Sequence, residues 1–128
     1  MKQPLAPLTT FALAITTAQA IAQETVFTYP IMPDAVDIVQ GEALYTETCA
    51  ACHGVDAAGQ EGVAPPLVHK IYEPGHHGDL SFQRAVKFGV KAHHWRFGDM
   101  APVEGLTEGD VVMITRYVRE LQRENGIF

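Results

Sequence analysis

The apolar positions of this chain fall into helical stripes separated by two long stretches that have no period. The clearest stripe is Val111, Ile114, Val118 and Leu121, spaced by three and four residues as one face of an α-helix requires. Thr107 precedes it with Asp110 three residues on, which approximates a capping box. Asn125-Gly126 follows as a stop signal. Arg116, Arg119, Glu120 and Arg123 lie mostly off the stripe and are expected on its solvent side. Leu80 to Phe88 predicts a short helix, with Asp79 near its start and Gly89 past its end. A first helix is expected from Asp34 or Asp37 to about Thr48, with Ile38, Gly41, Tyr45 and Thr48 on one stripe. An interior glycine costs roughly 1 kcal/mol against alanine, so Gly41 points to a close helix contact.

Between these elements, residues 54–80 and 90–106 are rich in glycine and proline and read as irregular. Loops of that length usually carry function. At the N-terminus, Leu8 to Ile15 form an apolar run too short to span a membrane. Lys2 precedes the run, and Ala18-Gln19-Ala20 and Ala20-Ile21-Ala22 follow it. Residues 1–22 therefore read as a secretory signal peptide, cleaved after Ala22 or, as second choice, Ala20. Residues 23–36, with Pro30 and Pro33, are expected to form an extended arm, and residues 37–128 a single small domain.

Charge narrows the function classes. The chain carries a net charge of −6, and loss of residues 1–22 removes Lys2 and no acid. Such a chain is not expected to bind nucleic acid non-specifically. The acids dominate residues 23–63, where no Lys or Arg occurs. That asymmetry suits either plain solubility or a charge dipole that orients the protein toward a partner. No stable membrane span is expected.

The chemistry is concentrated in Cys49-Ala50-Ala51-Cys52-His53. Cys-x-x-Cys-His is the attachment pattern of a c-type haem: two thiols bond the haem vinyl groups, and the adjoining histidine reaches the iron from the same tether. A structural zinc site would need further thiolate or imidazole ligands in paired clusters, and the chain has no third cysteine. The remaining histidines are His69 and the neighbours His76-His77 and His93-His94, and adjacent histidines lack the usual ligand spacing. A thioredoxin-like pair would need a βαβ context, and strand patterning near Cys49 is weak. A plain disulfide would leave His53 without a role. Export fits the haem reading, as does the use of two close cysteines that cannot staple distant parts of a fold.

A six-coordinate iron needs a second ligand opposite His53. Met100 is the choice, in Gly98-Asp99-Met100-Ala101-Pro102 just before the last helix. Met32 falls in the arm and Met113 within the last helix, where packing is the simpler role. His93 and His94 are the competing ligands, with His69, His76 and His77 behind them, because imidazole also binds haem iron.

With these residues in place the chain resembles the class I c-type cytochromes over about residues 37–123. The resemblance rests on Gly41 and Tyr45 in the first helix, on the Cys49–His53 motif, on Ala64-Pro65-Pro66-Leu67 against the family's Gly-Pro-x-Leu, and on Gly98-Asp99-Met100 followed by a helix bearing Tyr117. It departs at Ala101, where the family often has proline, and at Ala64, where it has glycine. The resemblance implies an all-α cytochrome c fold of three to four helices around one covalently attached haem c. It also implies that the Pro65 carbonyl accepts a hydrogen bond from His53. Trp95 and Arg96 are candidates to hydrogen-bond or neutralise a haem propionate, arginine because its fork matches a carboxylate; core burial is the equal alternative for Trp95. Arg84, Lys87, Lys91 and Arg96 form either a basic patch or a solvated face.

The expected function is one-electron transfer in the periplasm, with no enzymatic activity, between redox partner proteins such as a respiratory complex, an oxidase or a dehydrogenase. A haem enzyme, a haem-based sensor of a small gas with a labile Met100, and a fixed subunit of an electron-transfer complex are the alternatives.

Overall fold

The computed structural model describes residues 33–128. The expected signal peptide and residues 23–32 of the expected arm lie outside the described residues. Four α-helices make up the regular structure, with no strand among the described residues. They are α1 (Pro33–Thr48), the single turn α2 (Ala50–His53), α3 (Asp79–Phe88) and α4 (Glu108–Glu124). Two 3₁₀ turns, Val55–Ala57 and Lys70–Tyr72, punctuate the loop between α2 and α3.

Helix α1 begins at Pro33, beside Asp34, the earlier of the two expected starts, so residues 33–36 belong to the helix and not to the expected arm. Pro33 is its first residue, where a missing N–H costs nothing and the fixed φ already suits a helix. Asp37, expected as a possible cap, sits inside α1 and pairs with Arg116 of α4. The other boundaries fall where the sequence places them. Helix α3 runs from Asp79 to Phe88 and ends on Gly89 at φ 71°. In α4 the Thr107 hydroxyl accepts from the Asp110 N–H at 3.2 Å, and the Asp110 carboxylate accepts from the Thr107 N–H at 2.8 Å. That closes the capping box.

The core sits where α1 crosses α4. Tyr45, Ile114, Tyr117 and Val118 are buried there, with Ala57 from the loop beside them. The two tyrosine rings lie 5.4 Å apart and tilted. Gly41 makes the crossing possible: a Cβ on it would overlap the Met113 backbone carbonyl and lie 3.1 Å from the Tyr117 Cβ. Burial pushes the Tyr45 hydroxyl far above its ordinary pKa, with Cys49 adding to the effect. Tyr117 is pushed up to about 12 by burial and by the Asp56 carboxylate, to which it donates at 3.3 Å.

Arg119 corrects the sequence expectation. It is buried in α4 and not on its solvent face. Its Nε donates to Asp79 at 2.9 Å, and its Nη1 to the Tyr72 carbonyl and to Gln122 at 2.6 Å each. Nη2 donates to the His77 carbonyl, and the guanidinium lies 5.1 Å from the Phe82 ring centre. Gln122, fully buried, donates to the carbonyls of Leu67 and Tyr72 at 2.8 and 3.1 Å. A helix side chain that supplies donors to loop carbonyls satisfies backbone that no regular structure pairs. This is how the long loop before α3 is held against α4.

Two outcomes test this frame. Gly41→Val should overpack the α1–α4 crossing and lower stability by about 1–3 kcal/mol, read from the denaturant midpoint of the purified protein. Arg119→Met keeps the apolar stem but strips the loop carbonyls of their charged donor. It should cost on the order of 3 kcal/mol by the same measurement, whereas Arg123→Met, on an exposed side chain, should leave the midpoint nearly unchanged.

Candidate cofactor site

The Cys-x-x-Cys-His segment is built by the single turn α2, which follows α1 almost without a break. The Cys49 N–H donates to the Tyr45 carbonyl at 2.8 Å, and the His53 N–H to the Cys49 carbonyl at 2.9 Å. The Tyr45 hydroxyl then reaches back to the Gly54 carbonyl at 2.9 Å and fastens the end of the turn to the helix crossing. Helical spacing over this turn sends Cys49, Cys52 and His53 toward one space. Cys52 is exposed and Cys49 half-buried, and they are not joined in a disulfide. Burial raises the Cys49 thiol above its ordinary pKa, partly offset by its hydrogen bond with Thr48.

That space is a cavity of about 690 Å³ between α2, the loop before α3, α3 itself and the loop after it. Its walls are largely apolar, with Leu67, Phe82, Val86, Val90 and Ile114 among them. Cys49, Cys52, His53, Pro65, Trp95 and Met100 all border it. His53 Nδ1 lies 2.9 Å from the Pro65 carbonyl. A carbonyl only accepts, so Nδ1 carries the proton and Nε2 keeps its lone pair for a metal. Met100 comes from the opposite loop, which is pinned at that residue. Its N–H and C=O exchange hydrogen bonds with Val90, both at 2.9 Å. Gly89 allows that approach, since a Cβ there would overlap the Met100 carbonyl. Asp99 closes the loop by accepting from Lys91 Nζ at 2.8 Å and from the Ala92 N–H at 2.9 Å. These bonds hold its carboxyl below the usual range.

Not every candidate converges. Arg96 is exposed and does not border the cavity, so the structure does not place it to neutralise a propionate there. Trp95 and Phe97 both border the cavity and stack with ring centres 5.8 Å apart; the residue between two inward side chains is left facing out. Arg84, from α3, does border the cavity. Of the four residues that could form a basic patch or a solvated face, Lys87 pairs with Glu108 and Lys91 with Asp99, all at exposed positions. His69 is occupied elsewhere: its Nδ1 accepts from the Ile71 N–H at 3.2 Å. His77, His93 and His94 border the cavity, and His76 lies against His94. Adjacent histidines seemed unsuited to ligation by their spacing in sequence, yet the fold brings His76, His77 and His94 together from two loops. Desolvation, followed by the neighbouring imidazoles, holds His94 below its ordinary pKa.

The residues present fit a covalently attached haem. The thiols are free, one imidazole has an available Nε2, a thioether comes from the facing loop, and the surrounding wall is apolar. One buried polar atom is left over. The Trp95 indole N–H has no acceptor in hydrogen-bond geometry among the described residues. It adjoins the Tyr72 hydroxyl, whose pKa burial raises and Trp95 moderates. An unpaired buried donor is costly, and an anionic acceptor on a bound group would relieve it.

Neither the curated proteins nor the solved structures contain a match to the chain. The family model for cytochrome c matches residues 38–122, from the middle of α1 to the end of the buried part of α4. That span takes in the crossing, the Cys49–His53 turn and the Met100 loop. The chain therefore belongs to the cytochrome c family, whose members transfer electrons through a covalently attached haem c.

Proposed function

We propose that this protein is an exported one-electron carrier that holds its haem through Cys49 and Cys52 and its iron between His53 and Met100. The observation that carries the reading is the convergence of these four side chains on one apolar cavity, with the His53 Nδ1 already committed to the Pro65 carbonyl. The haem supplies the one-electron couple when bound.

The chain's own residues govern how that couple behaves. The Pro65 carbonyl fixes the plane and tautomer of the His53 ring, so the imidazole needs no reorientation when the iron changes charge. The Val90–Met100 pairing and the Asp99 clamp restrain the loop that offers the thioether. Methionine as a ligand would raise the reduction potential of the bound haem, and the apolar wall would favour its less charged state. The Trp95 N–H, beside the Tyr72 hydroxyl, would donate to a propionate of the bound haem. Cys52, exposed at the cavity mouth, marks the edge at which a redox partner would dock, and such encounters use small interfaces. No helix among the described residues is long and apolar enough to cross a membrane, which suits a diffusible carrier or a docked subunit. We read the protein as having no enzymatic activity of its own, because a Met100 thioether bound to the iron would leave no place on it for a substrate.

Met100→Ala tests the ligand pair. Ferric haem with a thioether ligand has a weak far-red charge-transfer band. The wild type should show it. Met100→Ala should lose it, have a lower potential, and bind carbon monoxide in the ferrous form, while His93→Ala should keep the band. A wild-type protein that binds carbon monoxide readily would favour the gas-sensing or enzymatic reading over the carrier. Export is tested separately, by mass analysis of the periplasmic protein. Cleavage after Ala22 should leave Gln23 first, and recovery of an intact chain bound to the membrane would contradict it.

A further inference from the structure

Four histidines form a cluster at the edge of the cavity that haem attachment and iron ligation by His53 and Met100 do not use. His76 and His77 end the loop before α3, and His93 and His94 lie in the Met100 loop. The ligand nitrogens of His76, His77 and His94 lie within 4.8 Å of one another. The Nε2 atoms of His76 and His94 face each other at 3.4 Å. Two nitrogens at ordinary zinc–imidazole distance from one tetrahedral ion are separated by about 3.3–3.4 Å. The observed gap is that span.

The cluster is also held in place. A turn in which the Glu73 carbonyl accepts from the His76 and His77 N–H groups, at 3.0 and 2.8 Å, sets those two residues side by side. The buried Arg119 grips the His77 carbonyl. The His77 ring donates from Nδ1 to the Ile71 carbonyl at 2.7 Å, leaving Nε2 as the coordinating atom. A backbone carbonyl behind a ligand histidine is the usual outer partner of a metal-bound imidazole. The facing His94 belongs to the loop closed by Asp99.

We propose that His76, His77 and His94 bind one divalent first-row transition-metal ion of the zinc or copper kind, separate from the haem iron. Imidazole nitrogens with no carboxylate among them select this class over calcium or magnesium, which take oxygen ligands. Three protein ligands leave a further position open to water. Because His77 and His94 come from the two loops that border the cavity, the ion would tie those loops together. The site rests on the histidine geometry alone and does not require the His53/Met100 assignment.

Calorimetric titration of the tag-free, haem-loaded protein with Zn²⁺ tests this. One ion should bind per chain, and the thermal midpoint should rise with Zn²⁺, because a ligand that binds only the folded state stabilises it. His76→Gln and His94→Gln lie at exposed positions. Each should weaken binding by about tenfold or more, abolish the Zn²⁺-dependent rise, and leave the far-red iron band as in the wild type. Absence of Zn²⁺ binding to the wild type, or unchanged binding in both variants, would overturn the site. So would a wild type that lacks the far-red band and whose iron spectrum changes in His94→Gln, which would put His94 on the haem iron. That last result also overturns the Met100 assignment, whereas the calorimetric failures leave it standing.

Discussion

Everything in this fold hangs on the close crossing of α1 and α4 at Gly41. The helix backbones approach so tightly there that no side chain fits on α1, and Tyr45 and Tyr117 fill the flanks. This is the only extensive helix–helix packing among the described residues. Tyr45 couples the crossing to the site. Its ring is part of the core, and its hydroxyl holds the Gly54 carbonyl at the end of the Cys49–His53 turn. The cofactor tether is in this way an extension of the core and not an appended loop.

The second constraint is polar. A domain of this size has a modest apolar core, and here most of the chain between α2 and α4 is irregular. Irregular backbone brought against a core must find hydrogen-bond partners. Arg119 and Gln122 provide them, with donors to Leu67, Tyr72 and His77 carbonyls. A buried arginine would be costly in isolation, but this one has a carboxylate from Asp79 and several neutral acceptors. The loops thus lie over a cavity without collapsing into it. The volume they leave is apolar-walled and suited to a large flat prosthetic group.

Local signals explain what was legible in the sequence. The capping box, Gly89 at the end of α3 and the stripe of α4 all depend on residues within a few positions of one another, and all appear where the pattern puts them. The Cys-x-x-Cys-His motif is likewise local, since one helical turn suffices to gather its groups. What was not legible depends on partners far along the chain. Periodicity assigns Arg119 to solvent, because nothing within α4 reveals the carbonyls of Tyr72 and His77 that draw it in. Arg96 looked suited to a propionate by residue type, but the inward turn of Trp95 and Phe97 leaves it outside. The histidine cluster joins positions about 18 residues apart, and sequence spacing carried no trace of it. At the start of α1 the local signal is ambiguous: Pro33 fits the end of an extended arm, but equally the first turn of a helix, which is where it lies.

The two sides of the cavity are positioned by different parts of the molecule. His53 is fixed by α2, the crossing and the Pro65 carbonyl. Met100 is fixed to the end of α3 through Val90, and the following segment again through the Val103 N–H on the Val86 carbonyl at 2.9 Å. The distance and angle between the facing groups therefore depend on how α3 sits against α4. That packing is governed at one end by Arg119, which joins Asp79 at the start of α3 to α4. At the other end, Gln83 of α3 donates to the Glu108 carbonyl at the start of α4, at 2.9 Å. A buried guanidinium that touches neither thiol nor imidazole nor thioether thus helps set the separation of the groups that face each other across the cavity. It does so through its bond to Asp79, so the placing of Met100 against His53 depends on the α3–α4 interface as much as on the Cys49–His53 motif.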